Sequence, residues 1–102
     1  MATSDGSEFA QASIDVLRAF VALAEAGDFH SAARQLGVTE ATLALRVKWL
    51  EAALRGRLIA AAPRVQLTQS GRRCLALARI AIGAYDLMFD EGADPNREGE
   101  RL

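Results

Sequence analysis

A chain of 102 residues suffices for one small domain around a single core. Hydrophobic residues make up 51% and prolines number two, which favours a helical globule; the one cysteine, Cys74, excludes an intrachain disulfide and suits a reducing compartment. No apolar run approaches the roughly 20 residues that span a bilayer, and the start "MATSDGSEFAQAS" has no basic or apolar block of a secretory leader. The expectation is therefore a cytoplasmic protein with no membrane partner. The net charge of −1 hides an uneven distribution: residues 14–79 hold ten Arg and Lys against five acids, whereas residues 80–102 hold six acids against two arginines. A mildly basic body between acidic ends permits phosphate binding without demanding it.

In chain order, residues 1–12 are small and polar and are expected to be a disordered N-terminal segment. Ser13 is expected to cap a first helix with Ile14, Leu17, Phe20, Val21 and Ala24 on one face and Gly27 at its end. A short second helix takes His30 or Ser31 as its cap and turns Ala32, Ala33 and Leu36 inward. Gly37 supplies a left-handed turn. Thr39 then caps a third helix, where Leu43, Val47, Leu50 and Leu54 form one stripe. Arg46, Lys48 and, unexpectedly, Leu45 and Trp49 fall outside that stripe.

Gly56 interrupts the helical pattern, and "RLIA" and "RVQL" read as two short strands turning at Pro63–Arg64. Thr68 caps a long helix predicted over residues 68–91. Its residues Leu75, Ala78, Ile82, Tyr85 and Phe89 step by three and four, and Cys74, Leu77, Ala81 and Met88 widen that seam. One small core cannot satisfy so much apolar surface, so the seam is expected to pair two copies of the chain as a homodimer. Residues 92–102 read as a disordered acidic tail.

Helix, short helix, glycine turn, helix, wing and long helix is the order of a winged helix-turn-helix, here spanning residues 13–67. The stretch "IDVLRAFVALAEAGDFHSAARQLGVTEATLALRVKWLEAALRGRL", followed by "VQLTQSGRRCLALA", closely resembles the N-terminal DNA-binding domain of LysR-type transcriptional regulators. The residues that carry the resemblance are Phe29, Ala32–Ala33, Leu36–Gly37, Leu50–Glu51, and Leu67–Thr68 with Gly71. The molybdate-responsive regulators are a weaker match. The resemblance implies a mainly α winged helix-turn-helix whose last long helix is a dimerising linker. Its partner would be double-stranded DNA.

The chain departs from the family's pattern where contacts are made. Thr39–Glu40 stands for the usual Ser-Gln, Ala44 for a Ser, Leu45 for a polar residue and Ala61 for a wing Arg. Arg55 replaces the Gly that follows "LE..L", and the family's larger effector-sensing domain is not within these 102 residues, which are either a fragment or a lone DNA-binding module; no small-molecule effector is expected on this chain. The candidate DNA contacts are Thr39, Thr42, Arg46 and Lys48 in or beside the major groove, Arg34 on the backbone and Arg64 at the minor groove. Arg46 is the expected base reader, because arginine bonds guanine bidentately; solvated surface charge is the alternative for each cation. Arg72 and Arg73 could reach phosphate or simply face solvent. No metal or other cofactor is expected, and no acid–base or nucleophile constellation suggests an enzyme. The rival expectation is a protein-interaction module that pairs with a DNA-binding regulator and blocks it.

Overall fold

The computed structural model describes residues 6–89, which form α1 (Gly6–Ala26), α2 (Phe29–Leu36), α3 (Glu40–Leu54), β1 (Ile59–Ala61), β2 (Gln66–Leu67) and α4 (Gln69–Phe89). Helices dominate and the two strands pair antiparallel, so the fold is the expected mainly α winged helix-turn-helix. The acidic segment 92–102 and the last two residues of the expected 68–91 helix lie outside the described residues. None of the described helices is long and apolar enough to cross a membrane.

Helix α1 begins at Gly6, so Ser13 lies within the helix rather than capping it, and residues 6–12 of the expected disordered segment are helical. Residues 8–12, "EFAQA", contain good helix formers and no breaker, which lets the helix run back past Ser13. The buried arc of α1 is also displaced from the expected stripe. Ile14 and Phe20 are buried as expected, but Leu17, Val21 and Ala24 are only half-buried, while Val16, Ala19 and Leu23 are buried. The reason is position. Helix α1 is the centre of the domain, packed on α2, α3 and α4 at once.

Two apolar clusters flank it. Ala19 and Leu23 meet Ala32, Ala33, Leu43 and Val47, where small side chains let α1, α2 and α3 approach closely. Val16 and Phe20 meet Leu50 and Leu58, with Leu67, Cys74 and Leu75 packed around them. Phe20, Leu23, Leu43 and Leu58 are the largest fully enclosed side chains, each stabilising the fold by about 1.5–3 kcal/mol.

Helix α4 spends its expected pairing seam within its own chain. Ala78 is buried, Cys74 and Leu75 pack on the second cluster, and Ile82 and Tyr85 are half-buried. Arg18 of α1 pairs with Asp86 and sets its guanidinium 5.9 Å from the Tyr85 ring centroid. Arg79 pairs with Glu25 at 3.0 Å. Phe89 alone of the seam is exposed, its ring 4.8 Å from that of Tyr85. Free apolar surface on α4 lies instead at Leu77, Ile80, Leu87 and Met88, the last 72% exposed. Leu54, expected in the core, is 53% exposed at the end of α3.

Candidate nucleic-acid interface

The corner between α2 and α3 is built by local hydrogen bonds. Asp28, not His30 or Ser31, caps α2: its carboxylate accepts from the Ser31 backbone N–H at 2.7 Å, and the Ser31 hydroxyl donates to it at 3.1 Å. These bonds, above all the backbone one, hold the Asp28 carboxyl below the usual carboxylate range. Gly37 takes the left-handed conformation, φ 72°, and Val38 N–H closes the turn on Ala33 O at 3.1 Å. Thr39 caps α3 as expected, accepting from Thr42 N–H at 3.0 Å while its hydroxyl donates to Thr42 Oγ1 at 3.0 Å. Both threonines are therefore occupied with each other.

The wing is held at its base and near its tip. Glu51 reaches from α3 to accept from Leu58 N–H at 2.8 Å and Ile59 N–H at 3.3 Å, and so fixes where β1 begins. Thr68 donates its hydroxyl to Arg57 O at 2.6 Å, donates its N–H to Leu58 O at 2.9 Å, and caps α4 by accepting from Gly71 N–H at 2.9 Å. Gly71 is buried against this strand; a Cβ there would stand 2.2 Å from Leu58 O. Arg72 donates to Leu67 O at 3.2 Å, so it pins β2. Near the tip, Val65 N–H donates to Gly27 O at 2.8 Å, tying the hairpin to the α1–α2 turn. Glu51, Asp28 and Gly71 are structural determinants that residue-by-residue reading of charge and periodicity did not single out. For Glu51 and Gly71 the signal was the "LE" pair and the "LT..G" spacing; Asp28 is marked by neither.

Between α2, α3 and the wing lies an open groove of about 740 Å³, bounded by Phe29 and His30, by Glu40, Ala41 and Ala44, and by Ala62 and Pro63. His30 Nδ1 lies 3.2 Å from Glu40 Oε2 across its mouth. Lys48, one turn beyond Ala44 on the same side of α3, is exposed, as are Arg34 on α2 and Arg64 at the hairpin turn. None of these three cations makes an ion pair among the described residues. Arg46 is placed differently: it leaves α3 about 200° further round than Ala44 and is half-buried, so it does not share the groove. Leu45 and Trp49 are 48% and 52% exposed. Arg73 is exposed on the far side, at a cleft of about 460 Å³ that also includes Leu17, Leu54, Leu77 and Ala81.

Cys74 lies in that same cleft, and burial pushes its thiol pKa up, which reduces the reactive thiolate. Among the described residues no three His, Cys, Asp or Glu side chains gather to hold a metal ion.

A sequence model described as "Bacterial regulatory helix-turn-helix protein, lysR family" matches residues 14–72. A probable hydrogen peroxide-inducible genes activator of Mycobacterium leprae is 43% identical over 96 residues, which are 90% of this chain and 31% of that protein. The chain thus spans about a third of that relative's length. Among solved structures, the CbnR_DBD–DNA complex aligns with a TM-score of 0.73 at 29% identity, over 82% of this chain and 98% of that one. The BenM_DBD/benA site 1 DNA complex aligns with a TM-score of 0.71 at 27% identity, over 76% of this chain and 91% of that one.

Proposed function

From the premise that this chain belongs to the lysR family of bacterial regulatory helix-turn-helix proteins, we propose that it is a sequence-specific double-stranded DNA-binding regulator of transcription. The observation that carries the reading is the groove itself. Helix α3 presents its N-terminal half beside the hairpin across one open face, the start of the helix is capped by Thr39, and Lys48 on α3, Arg34 on α2 and Arg64 at the hairpin turn are exposed with no ion pair among the described residues. Two solved relatives that align over most of their length are DNA complexes. Helix α3 would lie in the major groove, with Lys48 and Arg34 at phosphates and Arg64 at the minor groove. Thr39 and Thr42 would serve through the helix N-terminus they stabilise. The location that follows is the cytoplasm, and the role is binding, not catalysis.

The assembly we propose is a homodimer through α4, using the flank left free by α1. Leu77, Ala81 and Met88 lie on one stripe of that flank, and Leu77 and Ala81 border the cleft that exposes Leu54. It departs from the expected seam of Leu75, Ala78, Ile82, Tyr85 and Phe89, of which Leu75 packs on the second cluster and Ala78 is buried within the chain. A dimer would place two α3 helices on one duplex, with their separation setting the spacing of half-sites. Substituting Leu77→Glu with Ala81→Glu should convert dimers to monomers in light scattering. A monomeric wild type at high concentration refutes the dimer.

Titration of labelled duplexes at two salt concentrations tests the DNA reading. Log K should fall against log salt with a slope of about −0.9 per phosphate engaged. Lys48→Ala and Arg64→Ala should each flatten that slope by about one phosphate. The exposed Leu45–Trp49 pair favours the rival reading, a module that blocks another regulator by pairing with it. A folded dimer that binds no duplex at low salt would decide for the rival.

A further inference from the structure

The part of α3 that would enter DNA first is chemically unusual for that task. Glu40, Ala41 and Ala44 border the groove, and Leu45, one turn beyond Ala41, is 48% exposed. This quartet contains no hydrogen-bond donor, and Glu40 is held 3.2 Å from His30 at the groove mouth. Apolar side chains gain nothing from phosphates, and a carboxylate is repelled by them. On a duplex, these four side chains can gain free energy only against base edges. In the major groove the one apolar feature is the C5-methyl of thymine, and the donors a carboxylate can engage are the amino groups of cytosine and adenine.

We propose that α3 specifies its site by reading thymine methyls through Ala41, Ala44 and Leu45, with Glu40 as the single acceptor for an exocyclic amino group. His30 is a positioning residue in this scheme, restraining the Glu40 carboxylate. Guanine, which offers only acceptors at its major-groove edge, is left unread by this quartet. The inference rests on the DNA-binding reading above and deepens it by naming the base features recognised. Leu45 exposure then serves a contact with a methyl group.

The test begins by selecting duplexes from a random library with the full 102-residue chain. Deoxyuridine then replaces thymidine at single positions of the selected site, removing one methyl and nothing else. At one or more thymines in each half-site the affinity should fall about four-fold, the equivalent of one buried methylene-sized group. Leu45→Asn and Ala44→Ser, each checked for folding by circular dichroism, should each abolish the deoxyuridine penalty at the thymine that its residue reads and leave the others. Equal binding of both duplexes by the wild type would overturn methyl reading while leaving DNA binding in place. A uracil penalty that persists undiminished at every thymine in both variants would also overturn it, since Leu45 and Ala44 would then read no methyl. No selected duplex at low salt would remove the DNA reading itself and this inference with it.

Discussion

The base of the wing and the outward face of α3 sit a few residues apart in sequence and follow opposite rules. At the wing base the polar groups that matter are answered: Glu51 takes two backbone N–H groups, and Thr68 makes three hydrogen bonds. Gly71 leaves no room for one more carbon. On the outward face of α3 the side chains are short, apolar or acidic, and Lys48 is the exposed cation among them. The contrast separates what holds the domain in shape from what the domain touches. The framework restricts side chains closely, whereas the contact surface can change chemistry without disturbing it.

The largest effect expected from breaking the framework is Gly71→Ala. Its Cβ would collide with the Leu58 carbonyl, which belongs to the backbone and cannot yield as a side chain would. A loss of about 3 kcal/mol is expected, at the upper end for overpacking, read as a lowered urea midpoint with an unchanged slope. Glu51→Ala should cost about 1–3 kcal/mol, because two backbone N–H groups lose their acceptor; hydrogen exchange at the Leu58 and Ile59 amides should accelerate in parallel. By comparison, Leu45→Ser on the contact face should leave the urea midpoint nearly unchanged.

Arg55 gives a smaller effect of opposite sign. It closes α3 in the left-handed conformation, φ 58°, where glycine carries no side-chain penalty. Arg55→Gly should raise stability by up to about 1 kcal/mol, and a drop in melting temperature would contradict that account. The smallest effect concerns acid. The Asp28 and Asp86 carboxyls are held low, Asp28 mainly by the Ser31 N–H and Asp86 mainly by Arg18. A lowered folded-state pKa contributes stability above the unfolded value and loses it as pH falls through the folded value. Both contributions should therefore fade below about pH 4. Asp28→Asn with Asp86→Asn should flatten the acid limb of a melting-temperature profile, and an unchanged limb would contradict the assignment.

Much of the framework was legible in the sequence because its signals are local. Gly37, the Thr39 cap, the hairpin near Pro63–Arg64 and the Thr68 cap each act on residues two to four positions away. The α2 cap was misassigned because Asp28, His30 and Ser31 are all polar neighbours; the shortest bond to an early backbone N–H decides between them. The α4 seam is only partly legible for a different reason. Helical spacing reveals that Leu75, Ala78, Ile82 and Tyr85 share a face, but not how much of that face its own chain buries. Counting Arg46 outside the apolar stripe does not say on which side of the helix it emerges, and it lies away from the groove. Glu51 acts seven and eight residues downstream, beyond what helical periodicity registers.

The central claim is that a rigid framework presents the start of α3 and the hairpin tip to a duplex. Amide chemical-shift mapping of the full chain, titrated with a selected duplex at low salt, addresses it directly. The account predicts shifts concentrated at residues 29–31, 39–48 and 62–65, with the amides of Leu58, Ile59 and Gly71 unmoved. Shifts confined to the exposed flank of α4, or no shifts from a folded protein, would contradict it.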